Sequence, residues 1–291
     1  MAEFISRISV VCFAASYLVA LACEASRLLF RSGVRGAVMV GFAGAGLLAH
    51  TLFLAWRAAH EPVVPLSSPY DWYLLAAWLL ASASLWLTLA NPRTPVGLFM
   101  LPLVLGLIGA AELSSTVPFP RSPATQVWGA IHGGFNLAAS VAVAFGSSTG
   151  LMWLIQAGRL ARKQAPSRLR MPSLEKLAGF TGRSARIAAW TAAAGFASGL
   201  VLNAVNSSQG LLDTVPWTDP VVLRMGALVG WLAVAALVGR AAVRRPEGAR
   251  TVAILSLVSL AVLTTSILWG VLGPSRHGAP AAAATAAEVP R

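Results

Sequence analysis

The chain has 291 residues, 57% hydrophobic and 11% charged, with a formal net charge of +12. A soluble domain carries about 25% charged residues, so this composition, with a mean hydropathy of +0.71, excludes an ordinary soluble domain and points to a polytopic membrane protein. The apolar runs are continuous rather than alternating, which favours an all-α helix bundle over a barrel.

Eight apolar segments follow in chain order, at 5–23, 33–56, 71–90, 96–111, 127–157, 184–205, 221–239 and 251–273. Most are near the ~20 residues that cross a bilayer as a helix, so about eight transmembrane helices are expected. The first holds both cysteines, Cys12 and Cys23. They stand about 16 Å apart along a helix, too far for an intrachain disulfide. No CxxC or CxxCH occurs, so the chain is neither a thioredoxin-like reductant nor itself a c-type cytochrome. Only Arg7 precedes this run and three arginines follow it, a balance that favours an uncleaved helix with its N-terminus outside.

Between segments, charge alternates. Sixteen of the 22 basic residues fall in the connections at 24–35, 91–95, 158–186 and 240–250. By the positive-inside rule these are cytoplasmic, and both termini are external. The basic charge is thereby accounted for by topology, and no nucleic-acid partner is expected. In the long connection, Pro172 and Ser173 can open a short amphipathic helix with Leu174, Leu177 and Phe180 on one face, lying on the cytoplasmic surface. The opposite loops are rich in Pro, Trp, Tyr and Ser, where Trp72, Trp128 and Trp217 can serve as interfacial belt anchors. Gly195-Phe-Ala-Ser-Gly199 and Gly129-Ala-Ile-His-Gly133 have helix-packing spacing. No internal repeat is evident. Residues 1–277 form one membrane domain, and the Ala/Pro-rich tail 278–291 is expected to be disordered.

There are four histidines, and none lies in a cytoplasmic connection. His50 falls inside the second segment, about 9 Å below its outer end at Trp56. His60 is in the first outer loop, His132 near the outer start of the fifth segment, and His277 beyond the outer end of the eighth. Trp128, His132, Asn136 and Ser140 are spaced by four and form one row on a helix. Zinc chemistry lacks an HExxH motif, paired carboxylates or cysteine ligands. A proton path would want Asp or Glu inside the segments, and the segment interiors have none. Serine-hydrolase and phosphate-loop signatures are also missing. Haem fits better, needing axial imidazole, aromatic surface and arginine for its propionates. The outer histidines, tryptophans and Arg57, Arg121 and Arg224 are of those types.

Several stretches resemble the cytochrome c assembly family, its CcsA-type haem-handling proteins and its HemX-like branch. These are Trp56-Arg-Ala-Ala-His60-Glu-Pro62 continuing through Ser67, Ser68, Tyr70 and Asp71; Ile131-His132-Gly-Gly-Phe135-Asn136 running on to Gln156; and Met171-Pro-Ser-Leu-Glu-Lys-Leu177. Pro216-Trp217-Thr218-Asp219-Pro220 is similar to the end of the family's tryptophan-rich WWD motif, and Gly273-Pro-Ser-Arg-His277-Gly278 to its terminal histidine segment. The resemblance covers roughly 45–278. One tryptophan stands beside Asp219-Pro220, and Val221-Val222 replaces the family's Lys-Glu.

The resemblance implies a haem-handling protein of a bacterial-type cytoplasmic (inner) membrane that assists cytochrome c maturation. His132 and His277 would be the axial ligands to the iron of a transient haem b, held against Trp128, Trp217 and Asp219. His50 would match a haem-entry histidine, and His60 would belong to the adjacent outer loop. Apocytochrome c and a second membrane assembly subunit would be partners alongside the lipid bilayer, and the chain would be one component of a cytochrome c haem lyase. Two other readings stay open: a non-catalytic HemX-like scaffold or regulator, and a small-molecule transporter.

Overall fold

The computed structural model describes residues 9–26, 33–60, 68–92, 94–118, 123–163, 171–208, 216, 218–242 and 248–272. The described residues form eight helices: α1 Val10–Ser26, α2 Gly33–His60, α3 Pro69–Ala90, α4 Val96–Glu112, α5 Pro123–Ala161, α6 Leu174–Ser208, α7 Pro220–Ala242 and α8 Gly248–Leu272. Six of them, all but α1 and α4, are long and apolar enough to cross a membrane. The 17-residue α1 and α4 are apolar and span about 25 Å each. The protein is a membrane-embedded helical bundle. His277, Trp217, Arg121 and the 278–291 tail lie outside the described residues.

The helices pack as two four-helix units with the same neighbour order. In the first, α1 meets α2, α2 meets α3, α3 meets α4 and α4 returns to α1; in the second, α5 through α8 close in the same way, with α6 also touching α8. Helix α5 joins the units through α3 and α4. The first core is bulky, built on Phe13, Tyr17, Leu74, Leu80, Met100, Val104 and Ile108. The second is largely alanine, with Ala139, Ala142, Ala188 and Ala192 around Val143, Leu228, Leu232 and Leu263. In lipid, apolar burial gives helices little reason to associate, so close approach and interhelical hydrogen bonds must supply it. The second unit uses both. Ser147 donates to the Ser256 carbonyl at 2.7 Å, and the Thr149 and Thr181 hydroxyls meet at 2.9 Å. It holds a cavity of about 20 Å³, the size of one water molecule, lined by Gly146, Ala188, Ser256 and Ser259 among others.

One expected element differs. Ser173 caps a helix, accepting from the Lys176 N–H, but that helix does not end on the surface. It runs on as α6 for 35 residues. Its buried stripe is unbroken, through Leu177, Thr181, Ser184, Ala188, Ala192, Gly195 and Ser198. The apolar face of the expected surface helix is thus the first turns of a packing face that continues into the bundle. At about 52 Å, α6 overshoots the ~30 Å hydrocarbon layer.

Helices α2, α4 and α6 point their C-termini to the end where α3, α5 and α7 begin. That end holds His60, Arg57, Asp71, Glu112, His132, Asp219 and Arg224. The opposite end holds Arg159, Arg162, Lys163, Lys176, Arg183, Arg186, Arg240 and Arg250. The described cations therefore divide unevenly between the two ends of the bundle.

Candidate functional site

The histidine-bearing end is built from two polar groupings, one in each unit. In the first unit, Ser68-Pro69-Tyr70-Asp71 opens α3 with a reciprocal capping box. Asp71 N donates to Ser68 Oγ, and Ser68 N donates to Asp71 Oδ2, both at 3.3 Å; Pro69 lies at the start, where its missing N–H costs nothing. Asp71 also accepts from Arg57 Nε at 2.9 Å. The Arg57 guanidinium covers the Tyr70 ring at 4.9 Å, and Tyr70 donates to Glu112 Oε1 at 3.3 Å. One network thus ties the end of α2, the start of α3 and the end of α4. Sequence reasoning took Ser68, Tyr70 and Asp71 only as part of a family-like stretch. The S-x-x-D spacing before an apolar run was the signal for the cap.

His60 is not in a loop: it is the last residue of α2, which extends one turn beyond Trp56. Its ring stacks on Trp56 at 4.9 Å, and Nδ1 donates to the Trp56 carbonyl at 3.0 Å. The side chain is exposed. His50, by contrast, is 0% exposed in the first core. It lies face to face with Phe13 at 4.1 Å, and Tyr17 Oη is 3.4 Å from its Nδ1. The aromatic neighbours come from α1, so His50 is a core side chain of the α1–α2 contact. Glu24 is likewise wholly buried, in the last turn of α1 beside Gly97, a position that the apolar segment ending at residue 23 leaves out.

His132 and Asn136 occupy the second unit. The row Trp128, His132, Asn136, Ser140 lies within α5 as the spacing predicts, and its middle pair faces α6. His132 Nδ1 donates to the Gly195 carbonyl at 2.7 Å. Gly195 and Gly199 make room for the pair, because a Cβ on Gly199 would stand 2.7 Å from the imidazole and one on Gly195 2.8 Å from Asn136 Oδ1. The other motif divides: Gly133 lies against the Trp72 indole of α3, while Gly129 meets nothing within 4 Å. Trp72 is therefore a wedge between the two units.

The proton on His132 Nδ1 makes Nε2 the lone-pair nitrogen. Asn136 Nδ2 is 3.4 Å from Nδ1 and 3.1 Å from Nε2. An amide on the Nε2 lone pair would stand much farther from Nδ1, because that lone pair points away from the ring in its plane. The near-equal distances put the amide over the ring face. A backbone-bound Nδ1–H is the arrangement that orients a metal-ligating imidazole, and the half-buried His132 fits that chemistry at Nε2. The cavity of about 20 Å³ beside Ser256 and Ser259 is far too small for a porphyrin.

Asp219 caps α7. Its Oδ1 accepts from the Val221 N–H at 2.7 Å, and its carbonyl receives the Leu223 N–H at 3.2 Å. The side chain is buried. Trp128 is half-buried on α5. Among the described residues no three His, Cys, Asp or Glu side chains gather into a metal-ligand set. Comparison of the chain with protein-family models, curated proteins and solved structures finds no match.

Proposed function

We propose that this is a haem-handling protein of the cytochrome c assembly type, which holds haem b at the outer face of a bacterial inner membrane and assists its attachment to apocytochrome c. The observation that carries the reading is the His132 imidazole, with Nδ1–H fixed on the Gly195 carbonyl and the in-plane Nε2 lone pair uncapped. His277 would be a second residue to hold the iron, and Trp128, Trp217 and Asp219 would border the haem. Charge supports the sidedness. The end rich in described cations is cytoplasmic by the positive-inside rule, which puts His60 and His132 outside and both termini external. When bound, haem supplies the vinyl groups that receive cysteine thiols; this chain supplies imidazole ligation and orientation. A second membrane subunit completes the lyase.

A second reading, a HemX-like scaffold without haem, is favoured by one observation: Asp219 and His50 both serve the fold, as a helix cap and a core stack. One experiment separates the two. Protein purified after expression with ample haem is expected to show a Soret band that weakens in His132→Ala and in His277→Ala and is lost in the double variant. A wild type without a Soret band sinks the haem proposal, and cytochrome c maturation sustained by the double variant moves the assignment to the scaffold.

A further inference from the structure

The α6–α7 end of the second unit carries a cation whose charge nothing in the described protein answers. Arg224 stands one turn inside α7. Its Nε donates to the Pro220 carbonyl at 2.7 Å, which curls the guanidinium back along the first turn instead of letting it extend to water. Both Nη nitrogens are buried and have no hydrogen-bond partner among the described residues. The Trp269 ring of α8 lies 5.8 Å from Cζ and covers one side. A cation–π contact offsets part of the desolvation of a guanidinium and leaves its N–H donors unpaired. Arginine cannot escape by losing its proton, and an uncompensated charge in the membrane layer is strongly unfavourable.

The nearest carboxylate in sequence is already engaged. Asp219 Oδ1 accepts from Val221, and the Asp219 carbonyl takes Leu223. The helix N-terminus is thus largely satisfied by its own cap, and the guanidinium itself is the feature that calls for a ligand. The other described arginine at this end, Arg57, is matched by Asp71.

We propose that Arg224 is the centre of an oxyanion-binding site at the α6–α7 end, taking the phosphate or carboxylate of a ligand on its two Nη groups. The planar fork of two N–H donors suits two oxygens of one such group. The oxyanion can come from a lipid headgroup or from a soluble phosphate. Binding requires a small opening of the first turn of α7 or of Trp269, since the Nη groups are covered in the free form. The site does not depend on haem, and the probes that test it contain no iron.

The full chain is held in dodecyl maltoside micelles, which carry no phosphate, alone, with phosphatidylglycerol added, or with inorganic phosphate replacing chloride at equal ionic strength. Thermal unfolding is followed for wild type, Arg224→Lys and Arg224→Gln. The wild type is expected to gain stability from one of the two phosphates. A response to phosphatidylglycerol identifies the lipid source, and a response to inorganic phosphate the soluble one. Arg224→Lys, which keeps the charge and loses the fork, should raise the half-saturating concentration about tenfold, and Arg224→Gln should abolish the response. If Arg224→Gln does not fold, the shift in Arg224→Lys decides. A wild type indifferent to both probes, or substituted proteins that respond as the wild type does, overturns the site.

Discussion

At the residue scale, the side chains that looked chemical fall into two kinds. Asp219 is engaged in capping and His50 in packing, though the buried His50 Nε2 is also without a partner, while His132 and Arg224 have donors or lone pairs left over. The four-residue spacing of Trp128, His132, Asn136 and Ser140 was enough to put them on one helix and to say that they share a neighbour. It could not name the neighbour, because the Gly195 carbonyl that fixes the His132 tautomer lies 63 residues away in the chain. The same holds for Trp72. An interfacial anchor is the ordinary reading of a tryptophan near a helix start, yet its indole lies against Gly133. Gly133→Val is therefore expected to force that wedge apart and cost about 1–3 kcal/mol or more. The adjacent Gly134, with nothing within 4 Å, should accept alanine within about 0.5 kcal/mol. Thermal unfolding of both variants in detergent checks the contrast, and equal behaviour would remove Trp72 from the contact between units.

At the scale of elements, apolar runs located all eight helices, and charge and capping residues decided where they stop. Helix α2 outlasts its apolar run by a turn because the 57–60 stretch carries no helix breaker, and so His60 ends on a helix. Helix α6 starts ten residues before its apolar run, because Ser173 caps it there and Leu177 and Thr181 continue its buried stripe. A window that scores hydropathy alone misses such a start: the stripe is one face wide, and the other faces carry Glu175, Lys176 and Arg183. The cap of α7 makes a separable prediction. Asp219→Ala should lower stability by about 1 kcal/mol, and Asp219→Asn, which keeps an accepting oxygen, should restore it. If the carboxylate also borders haem, Asn rescues unfolding temperature without rescuing the Soret band. Full rescue of both leaves Asp219 as a cap alone.

At the scale of the whole molecule, the two four-helix units are joined through α5 and lie between ends of unequal charge. The positive-inside assignment gives a direct test. With Cys12 and Cys23 replaced by alanine, His60→Cys should react with a membrane-impermeant maleimide on intact cells, and Lys163→Cys only after the membrane is opened. The reverse pattern inverts the topology and moves the proposed haem site to the cytoplasm. Composition and apolar runs by themselves determined that the protein is helical, that it lies in a membrane, and where the eight described helices fall. These are local properties: a backbone in hydrocarbon must satisfy its own hydrogen bonds within each helix. Which helices pair, that α6 rather than solvent meets His132, that Phe13 covers His50, and that Arg224 is left unpaired were decided only in the tertiary structure. Each depends on side chains brought together from separate helices, and lipid, being as apolar as the helices, favours no one pairing until small residues and polar groups are fitted to one another.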